Sequence, residues 1–300
     1  MGRAVAALAL VVALGGCAAA PVAGGPPATT TPRTGEPVRT PTPPAATPTE
    51  RPVFWVEAPI LGDPSPLLAR IPPTGAVVEG ATARLLRPAV ADTPRRVAIQ
   101  VGHLDVHEAP AEFPSLRFQF GGTFDGIREV DVNLDIALRV EALLAERGIV
   151  VDVLPATIPP GYLADVFVSL HADGDDFREA SGFKIAHGFY RTPHDAELVR
   201  ILTEEYAAAT GLLWADNVTD EMTDYYAFAW FRYEHALAPH TAAAIMEMGF
   251  LSHPRDRALL VERPDDAAGG IAAGIVRFLD AVSRSALFAE DIIVPIVPAP

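Results

Sequence analysis

The chain has 300 residues, half of them hydrophobic and a fifth charged, which is enough apolar material for one sizeable core. Its formal net charge of -15 argues against nucleic acid as a partner, because a polyphosphate needs a basic face to bind to. A single cysteine excludes an intrachain disulfide, and Lys184 is the only lysine, so arginine carries nearly all the positive charge.

The first stretch has the form of an export signal. Met1-Gly-Arg3 is a short positive start, and Ala4 to Leu14 is apolar but too short to span a bilayer as a helix. Leu14-Gly-Gly-Cys17 follows and is similar to a bacterial lipobox, in which Cys17 becomes the lipidated first residue of the mature chain. The alternative is an ordinary signal peptide cut after small residues. The expectation is a lipoprotein signal over 1–16 and export, with the membrane met only through lipid on Cys17. Residues 17–52 are rich in Pro, Thr, Ala and Gly without a hydrophobic period, which predicts a disordered, extended linker.

Residues 53–94 read as an appendage, with a short strand in Val53-Phe-Trp-Val-Glu57 and a turn at Ile71-Pro-Pro-Thr-Gly75. A main domain over 95–286 then alternates strand and helix patterns. Arg96–Val101 is a first strand, followed by a long Gly-, Pro- and Phe-rich loop over 102–125. Val130, Leu134, Leu138 and Leu143-Leu144 recur at helical spacing, and Gly148 ends that run. Strands are expected over 149–154, 166–170 and 182–187, and a second helix over 194–210 closed by Gly211. The aromatic run 225–233 reads as strand-like. Ala242–Met246 is a buried strand, Gly249 beyond it would turn the chain sharply, and a last helix over 265–285 carries Ile271, Ile275 and Leu279 on one stripe. The tail, 287–300, is apolar with prolines. The alternation predicts an α/β fold, a three-layer α/β/α sandwich around a central mixed, mostly parallel sheet.

Three apolar runs end in metal-binding side chains: Val97 to His103, Val166 to His171, and Ala242 to Glu247. In open α/β sheets, functional groups collect beyond the carboxyl ends of the strands. A buried carboxylate such as Glu247 is expensive unless it is paired or placed on a metal. A hydrolytic zinc site takes three protein ligands and keeps one position for water. His103 and His171 supply two. Glu129, at the start of the first helix, is a candidate third, with Asp131 competing in the same turn. The helix dipole alone would also explain Glu129.

Four short motifs then resemble, in order, those of the zinc-dependent N-acetylmuramoyl-L-alanine amidases of the type-3 cell-wall hydrolase family. They are Val101-Gly-His103, Glu129-Val-Asp-Val-Asn-Leu134, Val168-Ser-Leu-His-Ala-Asp173 and Met246-Glu-Met-Gly-Phe-Leu-Ser-His-Pro254. The resemblance implies that His103, Glu129 and His171 bind Zn2+, that Glu247 is the catalytic glutamate, and that the substrate is peptidoglycan. The bond cut would be the amide between N-acetylmuramic acid and L-alanine, with the protein anchored at the cell membrane facing the wall. Two departures stand out. The glycine-rich approach to the first ligand is replaced by Gln100-Val-Gly-His-Leu-Asp105, and the helix the family carries before the second histidine is reduced to a short link over 155–164. Two other functions are compatible with the same residues: a catalytically silent peptidoglycan-binding lipoprotein, and a zinc peptidase. The oligomeric state is not legible.

Overall fold

A computed structural model describes residues 53–56, 59–69, 75–190 and 192–298. Cys17 and the linker lie outside them. The first described segments form β1 (Val53–Trp55), β2 (Ile60–Leu61), a one-turn helix α1 (Ser65–Leu68), β3 (Ala76–Glu79) and β4 (Thr82–Leu85). The main domain opens with β5 (Arg96–Val101). The long loop after it holds two 3-10 turns, Val106–Glu108 and Leu116–Phe118, and a minimal hairpin of β6 (Thr123–Phe124) and β7 (Ile127–Arg128). Next come α2 (Glu129–Ala145), β8 (Val150–Leu154), β9 (Val166–Asp173), β10 (Lys184–Ala186) and α3 (Asp195–Thr210). A single turn α4 (Asp220–Thr223) precedes β11 (Ala242–Phe250), α5 (Pro254–Glu262), α6 (Pro264–Ala281), α7 (Arg284–Leu287) and β12 (Asp291–Val297). Among the described residues, no helix is long and apolar enough to cross a membrane.

The main sheet runs β10-β11-β9-β5-β8. All its pairings are parallel except β10 with β11. Side chains alternate between faces along each strand. Val97, Ile99, Val166, Val168, Ala242, Ala244 and Met246 point to one face, where the apolar stripes of α2, α3 and α6 cover them. Gly270 and Gly274 let α6 lie close to α3. A Cβ at Gly274 would sit 2.8 Å from Leu202, and one at Gly270 would sit 2.9 Å from Ala209.

The opposite face carries Ala98, Phe167 and Ala243, packed under Leu154, Ile158, Ala227 and Leu237. The mixed, mostly parallel sheet of the expected α/β fold is present. Its third layer is made of loops and short turns. The segment 225–233, read as strand-like, is a 3-10 turn at Tyr226–Phe228 within irregular chain. Its aromatic composition mimics a strand, but its rings are packed as a lid over the sheet.

The appendage and the tail meet in a second sheet, ordered β1-β12-β4-β3 with β2 also paired to β12. The tail strand is antiparallel to β4 and parallel to β1 and β2. One side of this sheet packs through Ala83, Leu85, Ile292 and Val294 onto Trp230 and Ala236, with Tyr190, Phe231 and Tyr233 beside them.

Candidate metal centre and catalytic carboxylate

The register of the main sheet sets the site. His171 on β9 pairs with Glu247 on β11, and Glu247 pairs with Lys184 on β10. Directly paired residues share a face, so these three side chains form a row near the carboxyl edge. Glu247 lies within β11, and the ladder shifts register between Glu247 and Phe250. Gly249, expected to turn the chain, is part of that strand. A Cβ there would come 3.3 Å from the Asp256 side chain, a tight contact.

His103 follows β5 with a left-handed backbone, φ 67. Gly102 before it cannot carry a side chain, since a Cβ would lie 2.5 Å from the His171 ring. Glu129 enters from the other direction, as the first residue of α2. His103 Nε2 and His171 Nδ1 lie 3.1 and 3.3 Å from Glu129 Oε1, and 3.2 Å from each other. Three ligands of a tetrahedral ion at about 2.0 Å are separated by roughly 3.3 Å, so these residues fit a zinc-sized cation. They are the metal-capable group found among the described residues. Asp131, the competing carboxylate, is exposed and bound to Arg128 in the same helical turn.

The surroundings fix which atoms face the centre. His103 Nδ1 is 2.7 Å from the Gln119 carbonyl and donates to it, which leaves the Nε2 lone pair directed inward. Glu129 accepts from Gly122 N at 3.0 Å, Ala172 N at 3.2 Å and Asn133 Nδ2 at 3.3 Å. Burial would raise the Glu129 pKa, but hydrogen bonds and charge from both imidazoles overcome it and hold the carboxyl far below its ordinary range. For His103, burial works against protonation, and the Glu129 carboxylate outweighs it, raising the pKa. Gly121, with φ 77, closes the second glycine contact: a Cβ there would lie 2.8 Å from His103 and 2.9 Å from Glu129. Gln119, Gly121, Gly122 and Ala172 act mainly through backbone groups, which carry no side-chain signature in the sequence.

Glu247 stands apart from this cluster. Its Oε2 is buried and has no hydrogen-bond partner among the described residues, and the same is true of His171 Nε2. Burial pushes its carboxyl well above the ordinary value, the Asp173 and Glu129 charges add to the rise, and Lys184 opposes it. Lys184 is itself buried and ion-paired with Asp173. Beneath the row, Gln100 accepts from Tyr225 Oη at 2.7 Å and donates to Tyr226 Oη at 2.8 Å. Burial raises the Tyr225 phenol to about 12, so it stays a neutral donor.

His171, Glu247, Tyr225 and Tyr226 open onto a cleft of about 520 Å³, whose lining also includes Phe113, Leu116, Gln119 and Met222. The remaining histidines are elsewhere. His107 is exposed beside Glu108, His187 bonds the Gly188 carbonyl, and His194 bonds the Ala286 carbonyl. His235 pairs with Glu112, His240 bonds the Glu290 carbonyl, and His253 caps α5 near Asp256.

A mostly parallel sheet with two histidines and a helix-start glutamate at its carboxyl edge, and a separate buried carboxylate on the neighbouring strand, defines an α/β protein with a group of side chains that could hold a metal ion. Residues 97–277 match the N-acetylmuramoyl-L-alanine amidase family Amidase_3, and the chain belongs to that family; it is an amidase. No curated protein shows significant similarity to it. Among solved structures, the chain is similar to the catalytic domain of CwlV, an N-acetylmuramoyl-L-alanine amidase from Bacillus (Paenibacillus) polymyxa var. colistinus. The identity is 22%, the TM-score 0.43, and the match covers 62% of this chain and 98% of that one. It is also similar to an amidase of the same description from Clostridium difficile 630, at 18% identity and TM-score 0.45 over 63% and 99% of the two chains. A Mycobacterium smegmatis amidase matches at 19% identity and TM-score 0.46 over 62% and 97%.

Proposed function

We propose that the chain is a zinc hydrolase that cuts the amide between N-acetylmuramic acid and L-alanine in peptidoglycan. The observation that carries this reading is the convergence of His103 Nε2, His171 Nδ1 and Glu129 Oε1 at 3.1–3.3 Å, beside a partnerless Glu247 carboxylate oxygen. These three residues would hold the ion. Bound zinc supplies Lewis acidity toward the carbonyl and lowers the pKa of its water toward ~7.

Glu247 then has one task, which is to take a proton from water on an oxygen that no protein donor occupies and pass it to the departing L-alanine nitrogen. With Nδ1 donating to the Gln119 carbonyl, His103 would offer its Nε2 lone pair to the ion. Buried Gln100 and the partly buried Tyr225 and Tyr226 give the floor of the cleft a hydrogen-bonded, uncharged surface. Because the ligand set and Glu247 are all in place, a catalytically silent wall-binding role is less well supported. A zinc peptidase is separated by its products. Digestion of purified peptidoglycan should release stem peptides with new N-terminal alanine. Internal peptide cuts would mark a peptidase, and no release a binder.

The same reading places the enzyme outside the cytoplasm, held at a membrane by lipid on Cys17 and facing the wall. The motif Leu14-Gly-Gly-Cys17 supports this. Cys17→Ala should move the protein from the membrane to the soluble fraction. A soluble wild type whose mature N-terminus lies beyond Cys17 would refute the anchor.

A further inference from the structure

The loop over 102–125 follows the strand that leads to His103, and it places two aromatic rings in solvent. Phe118 is 77% exposed and Phe120 is 62% exposed. Neither has an aromatic partner among the described residues, whereas Phe113 of the same loop is buried between Tyr226 and Tyr233. Single exposed apolar side chains are ordinary. These two differ in where the backbone holds them. Gln119, between them, is fixed by the hydrogen bond of its carbonyl to His103. Gly121, directly after Phe120, touches both His103 and Glu129, so closely that no side chain fits there. The pair is therefore tied to the rim of the metal centre by contacts on both sides, next to the cleft that Leu116 and Gln119 line.

The occupant follows from the reaction, so this inference rests on the function proposed above. The scissile carbonyl belongs to the lactyl group of a muramic acid, so a sugar ring lies only a few bonds from the reacting carbon. The C–H face of a pyranose is flat and apolar. Stacking it on an aromatic ring removes both surfaces from water. The cleft itself is lined by the acidic Asp220, Glu221 and Asp224 and by Phe113, Tyr225, Tyr226 and Tyr233, whose rings are packed against one another. We propose that Phe118 and Phe120 form a glycan-binding platform that receives the muramic acid ring and its neighbour in the sugar strand, while the peptide occupies the cleft.

The test uses the full chain and peptide-free glycan strands of alternating N-acetylglucosamine and N-acetylmuramic acid, with binding followed at equilibrium. The wild type should bind. Phe118→Ala with Phe120→Ala should weaken binding at least about tenfold, the loss expected when an aromatic anchor is truncated. Phe118→Trp with Phe120→Trp should restore it. Thermal midpoint and zinc content should not change in either double variant, because both rings are exposed. With a disaccharide-peptide and a lactoyl-peptide lacking sugar as substrates, the alanine pair should also lower the ratio of the two kcat/KM values. A wild type that does not bind the glycan, or an alanine pair that binds it equally well, overturns the platform. Glycan binding needs no turnover, so this outcome is separate from any failure of amide hydrolysis.

Discussion

The two edges of the main sheet both bury carboxylates and histidines, and they treat them in opposite ways. At the amino edge, Asp165 is 2% exposed and receives Arg95 at 2.8 Å, the Arg96 backbone N–H at 2.8 Å, and Arg284 on both oxygens. Burial would raise its pKa, but Arg284, the Arg96 N–H and Arg95 together bring it below the ordinary value. At the carboxyl edge, Glu247 keeps one buried oxygen without a partner and its pKa rises. The histidines divide in the same way. His240, just before β11, is bound to the Glu290 carbonyl at 3.1 Å, while His171 leaves Nε2 without a partner. A buried charge that is fully paired holds the fold together. One left short of partners is a cost that structure alone does not explain, and for Glu247 it supports the proposed role in the chemistry.

Exchanging each acid for its amide should sharpen this contrast most. Glu247→Gln should lower turnover by ~10²–10⁴-fold, the usual loss for a positioned acid–base group, with zinc retained and stability equal to or above wild type. Asp165→Asn should do the reverse. It should destabilise the chain by about 3 kcal/mol, as for one broken side of a buried ion pair, with specific activity per folded molecule unchanged. Denaturant unfolding and peptidoglycan release measured on both variants decide it. If Asp165→Asn lost activity without stability, the division between the edges would fail.

A smaller effect comes from His240. Burial lowers its pKa to about 4, against the Glu290 carbonyl and the Asp291 charge, which both favour protonation. In the folded chain it is therefore neutral at a pH where the unfolded chain is protonated. Its contribution is fully present above pH ~6.5, declines as pH falls, and is lost by about pH 4, a total of up to about 3 kcal/mol. His240→Gln should flatten the stability curve in that window by this amount. An unchanged slope would mean that His240 is solvated in the native state.

Much of the centre was legible in the sequence because its side chains are its signal. His103, His171 and Glu247 end apolar runs of the sequence, and β5, β9 and β11, which those runs form, are neighbours. The choice between Glu129 and Asp131 was open until three dimensions turned one inward and the other onto Arg128. The Gln119 carbonyl and the Gly122 and Ala172 N–H groups could not be read, since every residue type offers them. Lys184 carried a usable clue as the only lysine of the chain, and it is buried against Asp173 beside Glu247. The second sheet was hidden for a different reason. β12 pairs with strands from the far end of the sequence, and no local period announces a partner so remote.

The central claim is that His103, Glu129 and His171 hold one zinc ion that Glu247 does not bind. Metal analysis of the purified full chain tests it most directly. The wild type and Glu247→Gln should each carry one zinc per chain, and His103→Ala and His171→Ala should carry almost none. Stoichiometric zinc in both histidine variants, or its loss from Glu247→Gln alone, would contradict the assignment.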